Sequence, residues 1–472
     1  MDTKSRPKRW HLRAPERVTI LLIGDFLMAG FALLLALYYW AAGDAWMEFN
    51  LEFITQRPPA WFFLLPFFWL VLLVELYDIH RASKPQEILK GIGLATLIYV
   101  LIYLLIYFTS EPNSLPRRGV AGFIILAAVF TLLWRLIYIR IFTAPGLLRR
   151  VLVIGAGNAG ETMVEVINDQ WPPPFKTIGL IDDDPQKVGN EIGGFQVMGN
   201  SHDLSKIIEQ NQVTDIVLAI SGEMGGSMFQ AILAAQEKGI NLSPMPQVYE
   251  ELLGRVPIFL LEAEWIVRSF VEKSNTGTLY QLSKSLIDFI GGLIGSAFMV
   301  ALLPLISLAT ILETGFPVFF TQERLGRGGQ PYKIIKFRTM ARDAEKDGEV
   351  RMAAQNDERV TKVGWFLRKT HLDEIPQFIN VLRGEMSLVG PRAERPQLVE
   401  QFQKEIPFYR ARLLVKPGIT GWAQINYGYA GNVDETAVKL EYDLYYIEHR
   451  NFLMDFSIIM RTVGTVLGFK GQ

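Results

Sequence analysis

Two adjacent acids, Asp373 and Glu374, are the side chains of this sequence best placed to do chemistry. They lie in the stretch RKTHLDEIPQFINVLRGEMSLVGPR, which runs from Arg368 to Arg392 and carries cations on both sides of the pair. Neighbouring side chains on a helix point about 100° apart, so the two carboxylates cannot flank one bond as a glycosidase pair does. They can instead act at one centre, one as a nucleophile and the other as a metal ligand.

The cations near the pair indicate what that centre binds. A carboxylate that approaches a diphosphate meets like charge, which costs roughly 4 kcal/mol per pair of unit charges at about 4 Å and an effective dielectric constant near 20. Nearby arginines and a Mg²⁺ ion that bridges Glu374 and the diphosphate reverse the sign of that interaction. The cations in question are Arg368, Lys369, Arg383 and Arg392. The pattern predicts phosphoryl transfer to a carboxylate.

A purely structural role for the two acids is the alternative. Leu372, Ile375, Ile379 and Leu382 repeat at helical spacing, and Pro376 is tolerated only in the first turn of a helix. A helix therefore begins near the acids, which could simply cap it and complement its dipole. In that case the protein would be a non-catalytic assembly or scaffold protein.

The composition indicates a chain that is partly embedded in a membrane. Half of its 472 residues are apolar and 20% are charged, and the mean hydropathy is +0.21. Two or three domains with a membrane portion are therefore expected. The net charge of −1 argues against a nucleic-acid partner. The absence of cysteine excludes disulfides, thiolate nucleophiles and iron–sulfur clusters, and the five scattered histidines argue against a histidine-rich metal site.

Four apolar runs precede residue 145, and each is close to the ~20 residues that cross the hydrocarbon core of a bilayer. They are Val18–Trp40, Ala60–Tyr77, Gly91–Phe108 and Gly119–Phe142. We therefore expect a four-helix transmembrane region over residues 1–145, whose simplest role is that of an anchor. The N-terminus and the second loop are basic and the first loop is more acidic, so the N-terminus and everything after Arg150 are expected in the cytoplasm.

A fifth apolar run, Leu286–Leu312, has cations on both flanks, Lys284 before it and Arg324 after it. Both flanks therefore favour the cytoplasmic side. Proline inside a helix removes a hydrogen-bond donor and clashes with the preceding turn. We predict a re-entrant helix over residues 286–312 that bends at Leu303–Pro304 and leaves by the same face. A fifth crossing with a mild kink is the alternative.

Between the membrane segments, residues 146–255 carry the pattern of a Rossmann-like, doubly wound α/β domain. RVLVIGAGNAGETMVEVIND predicts a strand, a glycine turn and a helix, with Gly155, Gly157 and Gly160 spaced as G-x-G-x-x-G. Asp182 ends a second predicted strand, and Asp215–Ile220 is a further one. Such a turn brings the backbone close to a pyrophosphate at a helix N-terminus. The domain could bind a nucleotide, or it could only assemble or regulate.

A Tyr-x-x-x-Lys pair would favour a membrane-anchored nucleotide-sugar dehydratase or epimerase. The pattern occurs at Tyr280–Lys284, where a lysine that snorkels to the membrane surface is the simpler explanation, and at Tyr332–Lys336, in a strand-like stretch. The second match belongs to a cationic segment that could serve anionic lipid head groups or a phosphorylated substrate. The cations of that segment are Arg324, Arg327, Lys333, Lys336 and Arg338.

Several motifs in order carry a family resemblance. KFRTM, THLDEIPQFINVLRGEMSLVGPRAE and KPGITGWAQI resemble the bacterial polyprenyl-phosphate hexose-1-phosphate transferases, which begin exopolysaccharide, capsule or O-antigen synthesis. The resemblance covers Lys284 to about Phe469, and the preceding regions resemble the longer members of that group. It implies a linker over residues 256–283 and an α-rich catalytic domain with the re-entrant helix over residues 284–472.

The resemblance also implies a two-step reaction. Asp373 would attack the sugar-linked phosphate of a UDP-sugar and release UMP, and undecaprenyl phosphate would then accept the phospho-sugar. Glu374 would bind Mg²⁺. Membrane lipid and a second copy of the chain, in a homodimer, are the remaining expected partners. The protein would lie in the bacterial inner membrane, with its soluble domains and active site on the cytoplasmic face. The residues expected to bind substrate and phosphate are Lys336, Arg338, Arg368, Arg392 and Glu394.

Lys284 and Asp288 match the basic and then acidic start of the family's re-entrant helix. Two positions depart from the family pattern. Leu303 stands where a serine commonly precedes the proline, so the bend loses a hydroxyl that could satisfy freed carbonyls. Ala393 stands where the family's Pro-Arg-Pro-Glu motif has its second proline. The motif keeps both of its charged residues, Arg392 and Glu394, so activity is expected to survive.

Overall fold

The computed structural model describes residues 14–43, 48–77, 79–109, 116–142, 148–170, 173–220, 222–261, 277–341, 359–428 and 432–467. The chain divides into two compact units, Met1–Val248 and Tyr249–Gln472. Within the described residues, four helices are long and apolar enough to cross a membrane by length and composition. They are Glu16–Ala42, Pro85–Thr109, Arg117–Ile141 and Thr278–Thr314.

The first unit begins with a helical region and continues with an α/β region. The helices are α1 (Ala14–Ala42), α2 (Leu51–Gln56), α3 (Leu65–Leu72), α4 (Ile79–Ala82), α5 (Pro85–Thr109) and α6 (Arg117–Phe142). The α/β region contains β1 (Arg149–Ile154), α7 (Asn158–Asp169), β2 (Phe175–Ile181), β3 (Glu191–Ile192), β4 (Phe195–Gln196), α8 (Leu204–Asn211), β5 (Asp215–Leu218), α9 (Gly226–Glu237) and β6 (Asn241–Pro244). Helix α10 (Met245–Leu253) spans the boundary between the units.

The second predicted crossing, Ala60–Tyr77, is not one helix, and this expectation was wrong. A 3₁₀ turn over Ala60–Leu64 runs into α3, and a second 3₁₀ turn covers Val74–Tyr77. Pro66 lies in the first turn of α3, where its missing N–H is tolerated. The other three runs form long helices, as predicted.

A buried ion pair holds this broken segment against its neighbours. Arg135 of α6 donates from Nε to Asp25 Oδ1 of α1 at 3.3 Å and from Nη2 to Asp25 Oδ2 at 2.5 Å, and both residues are fully buried. Arg135 Nη1 also donates to the carbonyl oxygen of Leu76 at 2.5 Å. In an apolar environment a backbone carbonyl freed by a helix break must find an internal donor, and Arg135 supplies it.

The α/β region confirms the predicted Rossmann-like fold. Its main sheet has the strand order β2-β1-β5-β6, with every pair parallel. Strand β1 leads through a glycine turn into α7, as the sequence predicts. Gly155 has φ +104°, and a Cβ on Gly160 would collide with the Gly155 carbonyl. These two glycines therefore allow the turn and the close approach of the helix to the strand.

The second unit is α-rich and begins earlier than the predicted boundary at Lys284. Val256 and Ile258 are almost fully buried and share a core cluster with Leu440, Leu444 and other residues up to Ile458. Residues of the predicted linker therefore belong to the core of this unit, because their apolar side chains are covered there. Residues 262–276 of that linker lie outside the described residues.

The elements of the second unit are mostly short, apart from three helices. They are α11 (Thr278–Thr314), β7 (Phe319–Leu325), β8 (Pro331–Phe337), α12 (Lys362–Lys369), α13 (Gln377–Leu382), β9 (Ser387–Val389), α14 (Pro396–Glu405), β10 (Gly418–Thr420), α15 (Trp422–Asn426), α16 (Val433–His449) and α17 (Phe452–Leu467). Strands β7 and β8 pair antiparallel, and β9 pairs with β10 in parallel. Short 3₁₀ turns lie at Arg327–Gly329, Leu372–Glu374 and Tyr409–Leu414.

Helix α11 is longer than the predicted segment 286–312 and contains Pro304 within a single helix of 37 residues. Along its length it contacts its own unit on one side. A Cβ on Gly295 would collide with Phe378 of α13. At the C-terminal end, the Glu313 carboxylate accepts the backbone N–H groups of Lys362 and Val363 at 2.8 and 2.9 Å. The other side of α11 exposes apolar side chains from Leu279 to Leu312.

Candidate active site

The two acids lie in the 3₁₀ turn between α12 and α13. His371, with φ 56°, adopts the left-handed conformation and reverses the chain after α12. Helix α13 begins at Gln377, its N-cap is Pro376, and no side chain caps it. The interpretation of the acids as helix caps is therefore wrong, and their carboxylates are available for other contacts.

Glu374 is held by two cations from different parts of the unit. Lys336 Nζ of β8 and Arg392 Nη2 lie 2.6 and 2.8 Å from Glu374 Oε1. Burial alone would raise the pKa of Glu374, but the charges of Arg392 and Lys336 outweigh it and hold that pKa well below its usual range. Glu374 is therefore a fixed carboxylate at neutral pH.

Asp373 has a different environment although it is the adjacent residue. Its side chain is buried, with only 8% of the residue exposed, and it makes no hydrogen bond with any described residue. Burial, and then the charge of Glu374, raise the pKa of Asp373 to about 6, against the opposing charges of Lys336 and Arg368. A carboxylate that is desolvated and not hydrogen-bonded is a better nucleophile than a solvated one.

The structure gathers some of the neighbouring cations around this pair and not others. Arg368 Nε donates to Thr339 Oγ1 at 3.0 Å, and its charge acts on Asp373. Arg338 follows β8, and its Nη1 is buried without a hydrogen-bond partner among the described residues. Lys369 instead lies over the ring of Trp365 at 4.6 Å. Arg383 is exposed beyond the far end of α13.

Arg392 and Glu394 lie on one turn and both line a small cavity. The Glu394 carboxylate lies 3.8 Å from Arg324 Nη1 and 3.6 Å from Arg412 Nη1. Burial would raise the pKa of Glu394, but these cations, Arg412 first, together with Lys439, hold it below its usual range. Glu394 is thus part of a buried ion cluster next to the pair.

Two arginines fix the backbone of that turn. Arg412 Nη2 donates to the Arg392 carbonyl at 3.0 Å and to Asp443 Oδ2 at 2.8 Å, and Arg324 Nη1 donates to the Ala393 carbonyl at 3.1 Å. Arg412 could not be predicted from the sequence, because the stretch YRARLL around it forms no recognisable motif. Its role in fixing the turn at Arg392 is apparent only once its buried partner, Asp443 of α16, is located.

Lys284 of α11 is fixed inside the unit. Its Nζ lies 3.0 Å from the Val389 carbonyl, 3.1 Å from the Tyr446 hydroxyl and 3.0 Å from Asp455 Oδ2. Tyr280 also donates to Asp455 Oδ2 at 3.0 Å. The interpretation of Lys284 as a snorkelling lysine is therefore wrong. Tyr280 and Lys284 both bind one structural carboxylate, which argues against this pair as the proton-transfer pair of a dehydratase.

Asp288, one turn further along α11, contacts strand β9, whose Val389 carbonyl binds Lys284. Its Oδ1 accepts hydrogen bonds from Ser387 Oγ and from the backbone N–H of Leu388, both at 2.9 Å. Strand β9 ends three residues before Arg392, so α11 fixes the backbone that leads to the cation bound to Glu374. Leu303 and Pro304 lie further along the same helix and make no polar side-chain contact with the pair.

In the first unit, Asp182 directly follows β2, as predicted. Its Oδ2 accepts the backbone N–H of Ala156 at 2.7 Å and lies 3.2 Å from Lys187 Nζ. The Asp182 carboxylate therefore stabilises the glycine turn through the backbone of Ala156. A Cβ on Gly157 would meet no atom within 4 Å, unlike one on Gly155 or Gly160. Nucleotide binding at this turn remains a prediction.

Comparison with known proteins agrees with these observations. Residues 279–469 match the model of the bacterial sugar transferase family. UDP-glucose:undecaprenyl-phosphate glucose-1-phosphate transferase of Escherichia coli (strain K12) is 34% identical over 336 residues, which cover 68% of this chain and 68% of that protein. The chain belongs to the bacterial sugar transferase family. The family resemblance of the sequence motifs is confirmed, and residues 73–246 also match the model of a CoA-binding domain.

Other relatives differ in the sugar that their names specify. UDP-N-acetylgalactosamine-undecaprenyl-phosphate N-acetylgalactosaminephosphotransferase of Aeromonas hydrophila is 39% identical over 232 residues, 48% of this chain and 52% of that protein. A putative undecaprenyl-phosphate N-acetylgalactosaminyl 1-phosphate transferase of Bacillus subtilis (strain 168) is 45% identical over 147 residues, 31% of this chain and 81% of that protein. The chain spans about half the length of the Aeromonas relative.

Proposed function

We propose that this protein transfers a hexose 1-phosphate from a UDP-sugar to undecaprenyl phosphate through a phospho-sugar ester on Asp373. In the first half-reaction an Asp373 carboxylate oxygen forms a bond to the sugar-linked phosphorus, and the bond from that phosphorus to the oxygen of UMP breaks. UMP leaves with that electron pair. In the second, a phosphate oxygen of undecaprenyl phosphate attacks the same phosphorus, and the Asp373 carboxylate leaves. The products are UMP and an undecaprenyl diphosphate sugar.

The contrast between the two acids is the observation that carries this proposal. Asp373 is buried and makes no hydrogen bond with the described residues, whereas Glu374 is held by Lys336 and Arg392. The same cations that fix Glu374 would also neutralise the negative charge of a diphosphate bound beside the pair. Two adjacent carboxylates in such different environments can divide the work of attack and charge control between them.

The donor set around the pair fits a magnesium ion. Glu374 Oε2 makes no hydrogen bond with a described residue, and neither Asp373 oxygen does. Mg²⁺ prefers such hard oxygen ligands and is commonly held by one or two carboxylates plus substrate phosphates. We propose Glu374 as its protein ligand. When bound, the ion would neutralise charge on the diphosphate and on the leaving phosphate. Removal of divalent cations with EDTA should stop UMP release, and added Mg²⁺ should restore it.

Helix α11 supports a re-entrant arrangement on one membrane face. Lys284 and Glu313 lie near opposite ends of α11, and both contact other parts of the second unit. A straight helix at about 1.5 Å per residue would separate them by about 44 Å. A straight crossing of ~30 Å of hydrocarbon would force charged residues of that unit into lipid. We infer that the apolar side of α11 enters one leaflet of the inner membrane, with the active site at the cytoplasmic face. There a soluble UDP-sugar and a lipid acceptor can meet.

The proposal is tested by a panel of UDP-sugars, with undecaprenyl phosphate and Mg²⁺, in which released UMP is measured. We expect one UDP-hexose or UDP-N-acetylhexosamine to release UMP and to leave a trappable phospho-sugar on Asp373. Asp373→Asn should lose at least two orders of magnitude in rate, because the attacking carboxylate is gone. Full turnover by Asp373→Asn would exclude the covalent route. The product would begin exopolysaccharide, capsule or O-antigen synthesis.

A further inference from the structure

A buried amide on α13 has a donor that the fold does not use. Gln377 is only 3% exposed, and its Nε2 makes no hydrogen bond with any described residue. Buried polar side-chain atoms nearly always have a partner, so an unused donor in a native core needs an explanation. The amide of Gln377 lies in the same short segment as the acidic pair.

Another amide on the same helix shows what a structural role looks like here. Asn380 is fully buried, and its Oδ1 accepts the backbone N–H of Ile335 at 3.1 Å. Its Nδ2 donates to the Lys333 carbonyl at 2.8 Å and to Glu385 Oε2 at 2.7 Å. Asn380 therefore ties α13 to β8 with every group satisfied. Gln377 makes no comparable use of its donor.

The position of Gln377 connects it to the reaction centre. It is four residues after Asp373 and three after Glu374, and the intervening cap residues Ile375 and Pro376 have right-handed helical backbone angles. Spacings of three and four bring side chains to the same side of a helical segment. The neighbouring Phe378 points elsewhere, since it packs against Gly295 of α11. Along this segment, Gln377 is thus one helical turn beyond the two acids.

We propose that Gln377 Nε2 donates a hydrogen bond to a non-bridging oxygen of the phosphoryl group during its transfer to and from Asp373. This inference rests on the proposed function and adds a substrate-contacting residue to it. A neutral N–H donor suits that position, because an additional carboxylate beside Asp373 and Glu374 would repel the phosphate. Negative charge accumulates on these oxygens in both half-reactions, so one donor can serve both.

Two variants test the donor. Gln377→Met keeps the shape and removes the N–H, and we expect it to slow both UMP release and phospho-sugar transfer roughly 10- to 100-fold, mainly in kcat. Gln377→Glu replaces the donor by a charged acceptor and should slow both steps further. Removal of an unsatisfied buried donor is neutral or stabilising, so the apparent Tm of Gln377→Met should equal or exceed that of the unmodified protein.

Asn380→Leu is the matched control, since it should lower the apparent Tm by removing three hydrogen bonds that the fold uses. The inference is overturned if Gln377→Met keeps both rates within twofold, if only KM changes, or if its Tm falls like that of Asn380→Leu. Activity of Gln377→Glu at or above that of the unmodified protein would also overturn the donor role. Absence of any phospho-sugar on Asp373 in the unmodified protein would instead reject the proposed function itself.

Discussion

Loss of the Lys284 ammonium should destabilise the second unit strongly, because this cation compensates a buried carboxylate. Asp455 is only 3% exposed, and the Lys284 side chain is 20% exposed. Removing one partner of a buried ion pair costs about 3–5 kcal/mol. The hydroxyls of Tyr280 and Tyr446 still bind Asp455, so we expect Lys284→Met to fall at the lower end, at about 3 kcal/mol.

The assay is thermal unfolding of the full chain in detergent, read as an apparent Tm. A cost of about 3 kcal/mol corresponds to a decrease of roughly 6–12 °C for a unit of about 150–250 residues. Lys333→Met is the matched control, because Lys333 is exposed on β8 and its loss should change the Tm by less than about 2 °C. A lysine that merely snorkels to the membrane surface would behave like this control.

A double-mutant cycle with Asp455→Asn isolates the pair. If Lys284 and Asp455 interact as the structure shows, the double variant should lose about 1–3 kcal/mol less free energy of unfolding than the two single variants lose together. Additive effects of the two substitutions, or a Tm of Lys284→Met within 2 °C of the unmodified protein, would refute the reasoning.

Three further predictions concern other buried positions. Burial raises the pKa of Glu441 from 4.5 to about 7. The contribution of its protonated carboxyl to stability is therefore present below about pH 4.5 and is lost as the pH rises through about 7. Glu441→Gln should raise the apparent Tm at pH 8 by an amount equivalent to about 3 kcal/mol, with little change at pH 5. Gly295→Ala should cost about 1–3 kcal/mol by overpacking, whereas Gly93→Ala, where a Cβ meets no atom within 4 Å, should be neutral or stabilising in the same melting assay. Arg412→Met should cost about 3–5 kcal/mol in chemical unfolding, and adding Asp443→Asn should recover part of that loss, because Asp443 is then no longer a buried, uncompensated charge.

Local sequence patterns determined several features directly. Apolar runs of about 20 residues predict α1, α5 and α6, because length and hydropathy suffice to identify a membrane helix. The glycine spacing after β1 predicts the strand, turn and helix, since Gly155 and Gly160 satisfy local steric demands. The acidic pair was found for a similar reason, as the proline that follows it limits where a helix can begin.

Patterns in a short window failed where a partner lies far along the chain. The run Ala60–Tyr77 is apolar enough for one helix, but its break is stabilised by Arg135, nearly 60 residues later. Lys284 resembles a surface cation until Tyr446 and Asp455 are placed beside it. Burial of Val256 and Ile258 against α16 likewise moved the start of the second unit before the predicted boundary.

The sequence by itself therefore determined which residues could do chemistry, a carboxylate pair and nearby cations, and that a segment apolar enough to enter a membrane precedes them. Only the tertiary structure decided how they divide the work. It brings Lys336 and Arg392 to Glu374 and leaves Asp373 buried without a hydrogen bond among the described residues. It also leaves the Gln377 donor unused. The physical reason is that burial and charge compensation depend on contacts between distant segments, which residue types and spacing do not specify.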